Sequence, residues 1–148
     1  MGLIMISNRK RKGNFLKAVD VLNLISDELK NEYNSEDEKI VLGATKYAFL
    51  KYKMGGDIIF EPQESVKMTG NSGPYLLYAT LRAKKVLEKV TSKNGEWPAS
   101  LAEPEKNLVK KIVQYREVLA EAVNEMAPHK ICAYLYELAQ EFSRFYEN

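Results

Sequence analysis

Thr69-Gly70-Asn71-Ser72-Gly73-Pro74-Tyr75-Leu76-Leu77-Tyr78-Ala79-Thr80-Leu81-Arg82 is the stretch around which this chain is organised. A turn rich in Gly, Asn and Ser runs into Pro74, which suits a first helical position because it has no amide hydrogen to lose there. At about 100° per residue, Leu76, Ala79, Ala83, Val86, Leu87 and Val90 fall on one apolar arc that should pack against the domain. Tyr75, Tyr78, Arg82, Lys85 and Lys89 fall on a second arc. Two aromatic rings at the positively polarised start of a helix, followed by cations, suit a flexed single-stranded nucleic acid: rings stack on bases while cations hold phosphates. The same pattern also fits amphipathic tyrosines at a core edge beside solvated lysines, and periodicity alone leaves both readings open.

Bulk composition bounds the rest. With 148 residues and 45% hydrophobic content, the chain can bury one core with a small appended segment. Its 22 basic and 20 acidic side chains give a formal charge of only +2, so any RNA site must be a local patch and not a general polycationic coat. The single Cys132 excludes an internal disulfide framework and reads as a buried helix thiol, and no Cys/His cluster has zinc-ligand spacing. No apolar run reaches the roughly 20 residues of a membrane span, and the basic cluster comes after the apolar start where a signal peptide would have it in front. The expectation is a soluble, cytoplasmic protein without a membrane partner.

Along the chain, Arg9, Lys10, Arg11 and Lys12 form the densest charge, and Gly13-Asn14 breaks any helix that might continue from them. This reads as a loop that either contacts phosphate or is simply solvated. Ala18 to Leu29 repeats apolar residues at three and four, as an amphipathic helix does. A second helix is expected over Glu36–Leu50, capped by Ser35, with Gly43 and Ala44 leaving room for another helix to approach. Asp57-Ile58-Ile59-Phe60, enclosed by Gly55-Gly56 and Pro62, is an extended connector or edge strand. A polar linker carrying Trp97 precedes a long helix from Glu103 past Met126, and Pro128 restarts the last helix, whose stripe is Ile131, Leu135, Leu138, Phe142 and Phe145.

Gly70-Asn71-Ser72-Gly73-Pro74-Tyr75-Leu76-Leu77-Tyr78-Ala79 closely resembles the segment that opens the anticodon-binding domain of class I arginyl-tRNA synthetases. Ala127 to Glu147, with its Pro-His-Lys start and Phe-x-Arg-Phe-Tyr-Glu ending, resembles penultimate helices of the same family. Met5 to Phe15 is similar to the family's mobile signature loop through Arg11-Lys12-Gly13-Asn14. The blocks stand in the family's order and separation across about Ser7 to Asn148. One position departs: the family commonly has His where this chain has Thr80.

The resemblance implies an all-α, DALR-type helical bundle of about five helices with a short N-terminal arm. Residues 1–33 would hold a signature-loop remnant and the first helix joining a catalytic domain, and 34–148 an anticodon-binding domain truncated at its C-terminus. It implies tRNA binding through Tyr75, Tyr78, Arg82, Lys85, Lys89 and Asn71, with Arg9, Lys10, Arg11 and Lys12 as a phosphate-contacting loop. The Glu64 to Gly73 loop would adapt to the bound RNA. The implied partners are the anticodon arm of an arginine tRNA and the catalytic domain of the same synthetase, in a monomer. ATP and Mg are implied for the complete ligase and no cofactor for this chain. A lone His129 at a helix start, with no Asp or Cys partner, reads as structural; no catalytic or metal-ligating residue is expected and the isolated chain should be inactive. A helical protein-interaction module without RNA binding is the alternative.

Overall fold

The computed structural model describes residues 4–6, 17–90 and 99–147. In chain order the elements are β1 (Ile4–Ile6), α1 (Ala18–Tyr33), α2 (Glu38–Leu50), β2 (Ile58–Phe60), α3 (Pro62–Val66), α4 (Gly73–Lys89), α5 (Glu103–Val113), α6 (Tyr115–Asn124) and α7 (Pro128–Glu147). The architecture is all-α as expected, the sole addition among the described residues being the short parallel pair β1–β2, in register Ile4↔Ile58 to Ile6↔Phe60. The connector reading of Asp57–Phe60 is thereby resolved as a strand. The chain divides into two compact units, Met1–Tyr75 and Leu76–Asn148.

In the first unit, Val21, Ile25 and Leu29 recur every four residues on α1 and are buried. Burying each such side chain is worth roughly 1.5–3 kcal/mol. They meet Val41, Ala44 and Ala48 of α2, together with Phe60 and Val66. Phe60 stacks on Phe49 with ring centroids 5.6 Å apart. The Asp20 carboxylate accepts from Lys17 N–H at 3.0 Å at the start of α1, and Asn34 ends the helix with φ 50°. Asparagine tolerates that left-handed turn better than most residues. The start of α2 corrects the expected Ser35 cap. Asp37 takes that role, its carboxylate accepting from Lys39 N–H at 2.8 Å, while Ser35 Oγ accepts from Asp37 N–H one step earlier. A carboxylate opposite the helix N-terminus outdoes a hydroxyl there because it also answers the helix dipole.

The small residues of α2 serve the purpose expected of them. A Cβ placed on Gly73, the first residue of α4, would stand 2.8 Å from Gly43 O and 3.0 Å from Ala44 Cα. Only glycine permits that backbone approach.

In the second unit, α7 packs on both α5 and α6, burying Cys132, Tyr134 and Ala139. Cys132 is the buried helix thiol its neighbours predict. The single long helix expected after Glu103 is instead two, broken at Gln114. The Tyr134 hydroxyl donates to Lys111 O at 3.1 Å, the carbonyl that an unbroken helix would direct to Tyr115 N–H. Burial pushes the Tyr134 phenol above its ordinary range. At the turn between α6 and α7, where Met126 has φ 49°, Lys130 Nζ bridges Glu121 at 3.0 Å and Glu125 at 2.7 Å. Those two bonds raise its pKa.

Gly73→Ala should destabilise the chain by about 1–3 kcal/mol, the usual cost of forcing a methyl into a filled site. Urea titration followed by circular dichroism measures it; unchanged stability would mean the two backbones are not held together. Because the folded pKa of Lys130 lies above its unfolded value, its stabilisation is complete below about pH 10 and is lost as pH rises through the folded pKa. Thermal melts of wild type and Lys130→Met should therefore differ at neutral pH and converge on the alkaline side.

Candidate nucleic-acid interface

The start of α4 is built by a chain of hydrogen bonds. Ser72, buried, donates its hydroxyl to Lys67 O and accepts from Tyr75 N–H at 3.2 Å, capping the helix one residue before Gly73. Pro74 comes next as the second helical residue, with no amide proton to satisfy. Tyr47 of α2 and Lys51, the residue just past its end, grip the turn ahead of the cap. Tyr47 donates its hydroxyl to Asn71 Oδ1 at 2.6 Å, and Lys51 Nζ donates to Asn71 O at 3.0 Å. The Tyr33 hydroxyl accepts from Met68 N–H at 3.2 Å, fixing the far side. Asn71 itself is exposed. These residues, with half-buried Tyr75, belong to the first unit.

Tyr78, Arg82, Lys85 and Lys89 belong to the second unit. Tyr78 is 43% exposed, and Lys85 and Lys89 face solvent. Arg82 is engaged by other side chains. Its guanidinium lies 5.4 Å from the Tyr78 ring centroid and 4.0 Å from that of Tyr146, with Glu147 at 4.0 Å, and its side chain is only 17% exposed. A guanidinium against two rings gains cation–π attraction from both. Tyr146, 46% exposed, is the residue that sequence reasoning missed. The Tyr78–Arg82 spacing of four was a usable signal for one half of the arrangement. The other half needs α7 to bring Tyr146 to α4, and the pattern along either helix carries no sign of it.

The apolar arc of α4 also needs correcting. Ala79 is buried and Leu76, Ala83 and Val86 are partly so, but Leu87 is 71% exposed and Val90 is exposed as well. Among the described residues nothing packs over that last turn. Arg9, Lys10, Arg11, Lys12 and Trp97 lie outside the described residues.

His129 has its Nδ1 buried with no hydrogen-bond partner among the described residues. No group of His, Cys, Asp and Glu among them could hold a metal ion. No described helix is long and apolar enough to cross a membrane. What the geometry offers chemically is two half-exposed rings on one largely covered guanidinium, beside solvent-facing lysines on the same helix.

Residues 76–148 match the DALR anticodon binding domain family, and the match begins where the second compact unit begins. The arginine–tRNA ligase of Agathobacter rectalis is 35% identical over 133 residues, covering 85% of this chain and 22% of that protein. That of Shewanella baltica is 35% identical over 153 aligned residues, covering 94% of this chain and 26% of its own length. The arginyl-tRNA synthetase of Thermus thermophilus superposes with a TM-score of 0.75 at 25% identity, over 99% of this chain and 26% of that one. The Plasmodium falciparum arginyl-tRNA synthetase, 21% identical, shares the fold with the same TM-score. The chain thus spans about a quarter of the length of the proteins it matches. Residues 76–148 belong to the DALR anticodon binding domain family, and over most of its length the chain is similar to arginyl-tRNA synthetases.

Proposed function

We propose that this chain binds the anticodon arm of an arginine tRNA and presents that tRNA to the catalytic domain of a monomeric, cytoplasmic arginine–tRNA ligase. The observation that carries the reading is the Tyr78–Arg82–Tyr146 cluster, its rings half-exposed, lying within the segment that matches the DALR family. Tyr75 and Tyr78, one turn apart on α4, stack on unpaired bases, and Tyr146 adds a third ring. Lys85 and Lys89 neutralise phosphates, Asn71 contacts the RNA from the turn before the helix, and the Glu64 to Gly73 segment, from the end of α3 to the start of α4, adjusts around it. Arg82 takes a different part from its sequence-based role as a phosphate cation. Packed against both rings, it holds them to one another.

In this reading residues 1–33 join the chain to the catalytic domain, and Arg9, Lys10, Arg11 and Lys12 touch phosphate there. Arginine activation uses ATP and Mg in the complete ligase. The described residues of this chain include no metal-ligating cluster, and no step of that chemistry is assigned to them.

Titration of a fluorescently labelled arginine tRNA anticodon stem-loop against the chain, at two salt concentrations, tests the reading, with a loop altered at the middle anticodon base as control. Binding should weaken steeply with salt and prefer the unaltered loop. Salt-insensitive binding without loop preference would favour a protein-interaction surface. Tyr78→Ala should lose about 1–3 kcal/mol while Tyr78→Phe binds as wild type. Lys85→Ala should reduce the slope of log affinity against log salt by about 0.7, the value for one phosphate on a single strand. Arg82→Gln should lower affinity with little change in that slope; a full loss of one phosphate's worth would return Arg82 to the role of a free cation.

A further inference from the structure

The outer face of α5 and α6 carries a seam of apolar side chains that nothing among the described residues covers. Val109, Ile112, Leu119, Val123 and Met126 are all exposed, with Val113 beside them. Counting Arg116 between Ile112 and Leu119, these positions step by 3, 4, 3, 4 and 3 along the chain, the spacing of a coiled-coil seam. The break at Gln114 leaves the register intact, because Gln114 itself keeps helical dihedrals, φ −65° and ψ −13°. The opposite face is already in use: Ala122 is buried and the Lys111 carbonyl accepts from Tyr134 of α7.

Charge decides what such a seam accepts. Residues 106–116 hold Lys106, Lys110, Lys111 and Arg116 and no acid, whereas 117–125 hold Glu117, Glu121 and Glu125 and no base. Ion pairs within the chain reduce this division without reversing it. Lys111 pairs with Glu137, Lys106 with Glu103 at 2.9 Å, and the one Lys130 lies between Glu121 and Glu125. Exposed Lys110 and Arg116 therefore set the sign of one half, and Glu117 with one uncompensated carboxylate sets that of the other. A helix turned end for end, apolar along the same stripe, complements both halves at once. This chain supplies the stripe and the matching charge together.

We propose that the seam is the contact between two copies of this chain, packed antiparallel about a two-fold axis between Glu117 and Val118. Ile112 then faces the partner's Val123, Val109 the partner's Met126, and Arg116 the partner's Leu119. Arg116 lays its stem on that leucine and carries its guanidinium to the partner's Glu117. A parallel pair would set Arg116 on the partner's Arg116, and like-charge repulsion disfavours it. The inference stands apart from the anticodon reading. The monomer named there is the complete ligase, whereas the pair is a state of the 148-residue chain, and the Tyr78–Arg82–Tyr146 cluster is no part of the seam.

Sedimentation equilibrium of the full chain over about 1–100 μM is the test, and a passage from monomer to dimer is expected in that range. Val123 is 67% exposed in the single chain, so Val123→Glu should keep the circular dichroism spectrum. It should weaken association at least about tenfold, since the pair would bury an unpaired carboxylate. Orientation is read by oxidising an equimolar mixture of Ile112→Cys and Val123→Cys chains and identifying the products by mass spectrometry. Antiparallel packing joins the two variants to each other and neither to itself, because like positions then stand about 16 Å apart at 1.5 Å per residue, beyond disulfide reach. Joining of either variant to itself would overturn the antiparallel pair. A chain still monomeric at about 100 μM, or a dimer indifferent to Val123→Glu, would overturn the seam itself. Stem-loop binding by such a monomer would leave the anticodon reading in place.

Discussion

The contact between Gly73 and the Gly43–Ala44 backbone is the constraint on which the rest of the arrangement depends. It brings the start of α4 onto α2 with no side chain between them. Gly43, Tyr47 and Lys51 are spaced by four, so one stripe along α2 and its C-cap supports the near side of the turn: a carbonyl facing Gly73, then a phenol and an ammonium holding Asn71. The burial of Ser72 and Pro74, on either side of Gly73, has its origin in the same closeness. Close packing here serves placement more than bulk stability, because it fixes where a helix that displays aromatic rings begins.

In the second unit placement is achieved by charge on rings. Arg82 draws together Tyr78 from its own helix and Tyr146 from the end of α7, with Glu147 balancing the guanidinium. The rings stay substantially exposed while the cation between them is covered. Such an arrangement has already met the ordering cost of its side chains before any ligand arrives, which is the general advantage of a preformed surface.

Much of this was legible in the sequence, and the exceptions share a cause. Apolar periodicity located α1, α2, α4 and α7, because burial of one stripe is a local property of a helix. The small pair Gly43-Ala44 announced a close approach but not its partner, since Gly73 is brought there by the intervening fold. The break at Gln114 goes with a bond from the Tyr134 hydroxyl to Lys111 O, and the engagement of Arg82 involves Tyr146, both distant along the chain. Asp37 outdoing Ser35 as the cap was a local choice between two plausible residues, decided by charge. The resemblance to arginyl-tRNA synthetases identified the family, but the role of each side chain required its neighbours in space.

The pairing of β1 with β2 has an entropic side. A parallel ladder between Ile4–Ile6 and Ile58–Phe60 closes only when α1 and α2 already span the distance between its strands. Loop-closure entropy makes such a non-local contact costly, and three residues of ladder return little for it. What holds the short ladder in place is therefore less its own hydrogen bonds than Phe60, which ends β2 inside the core that α1 and α2 build.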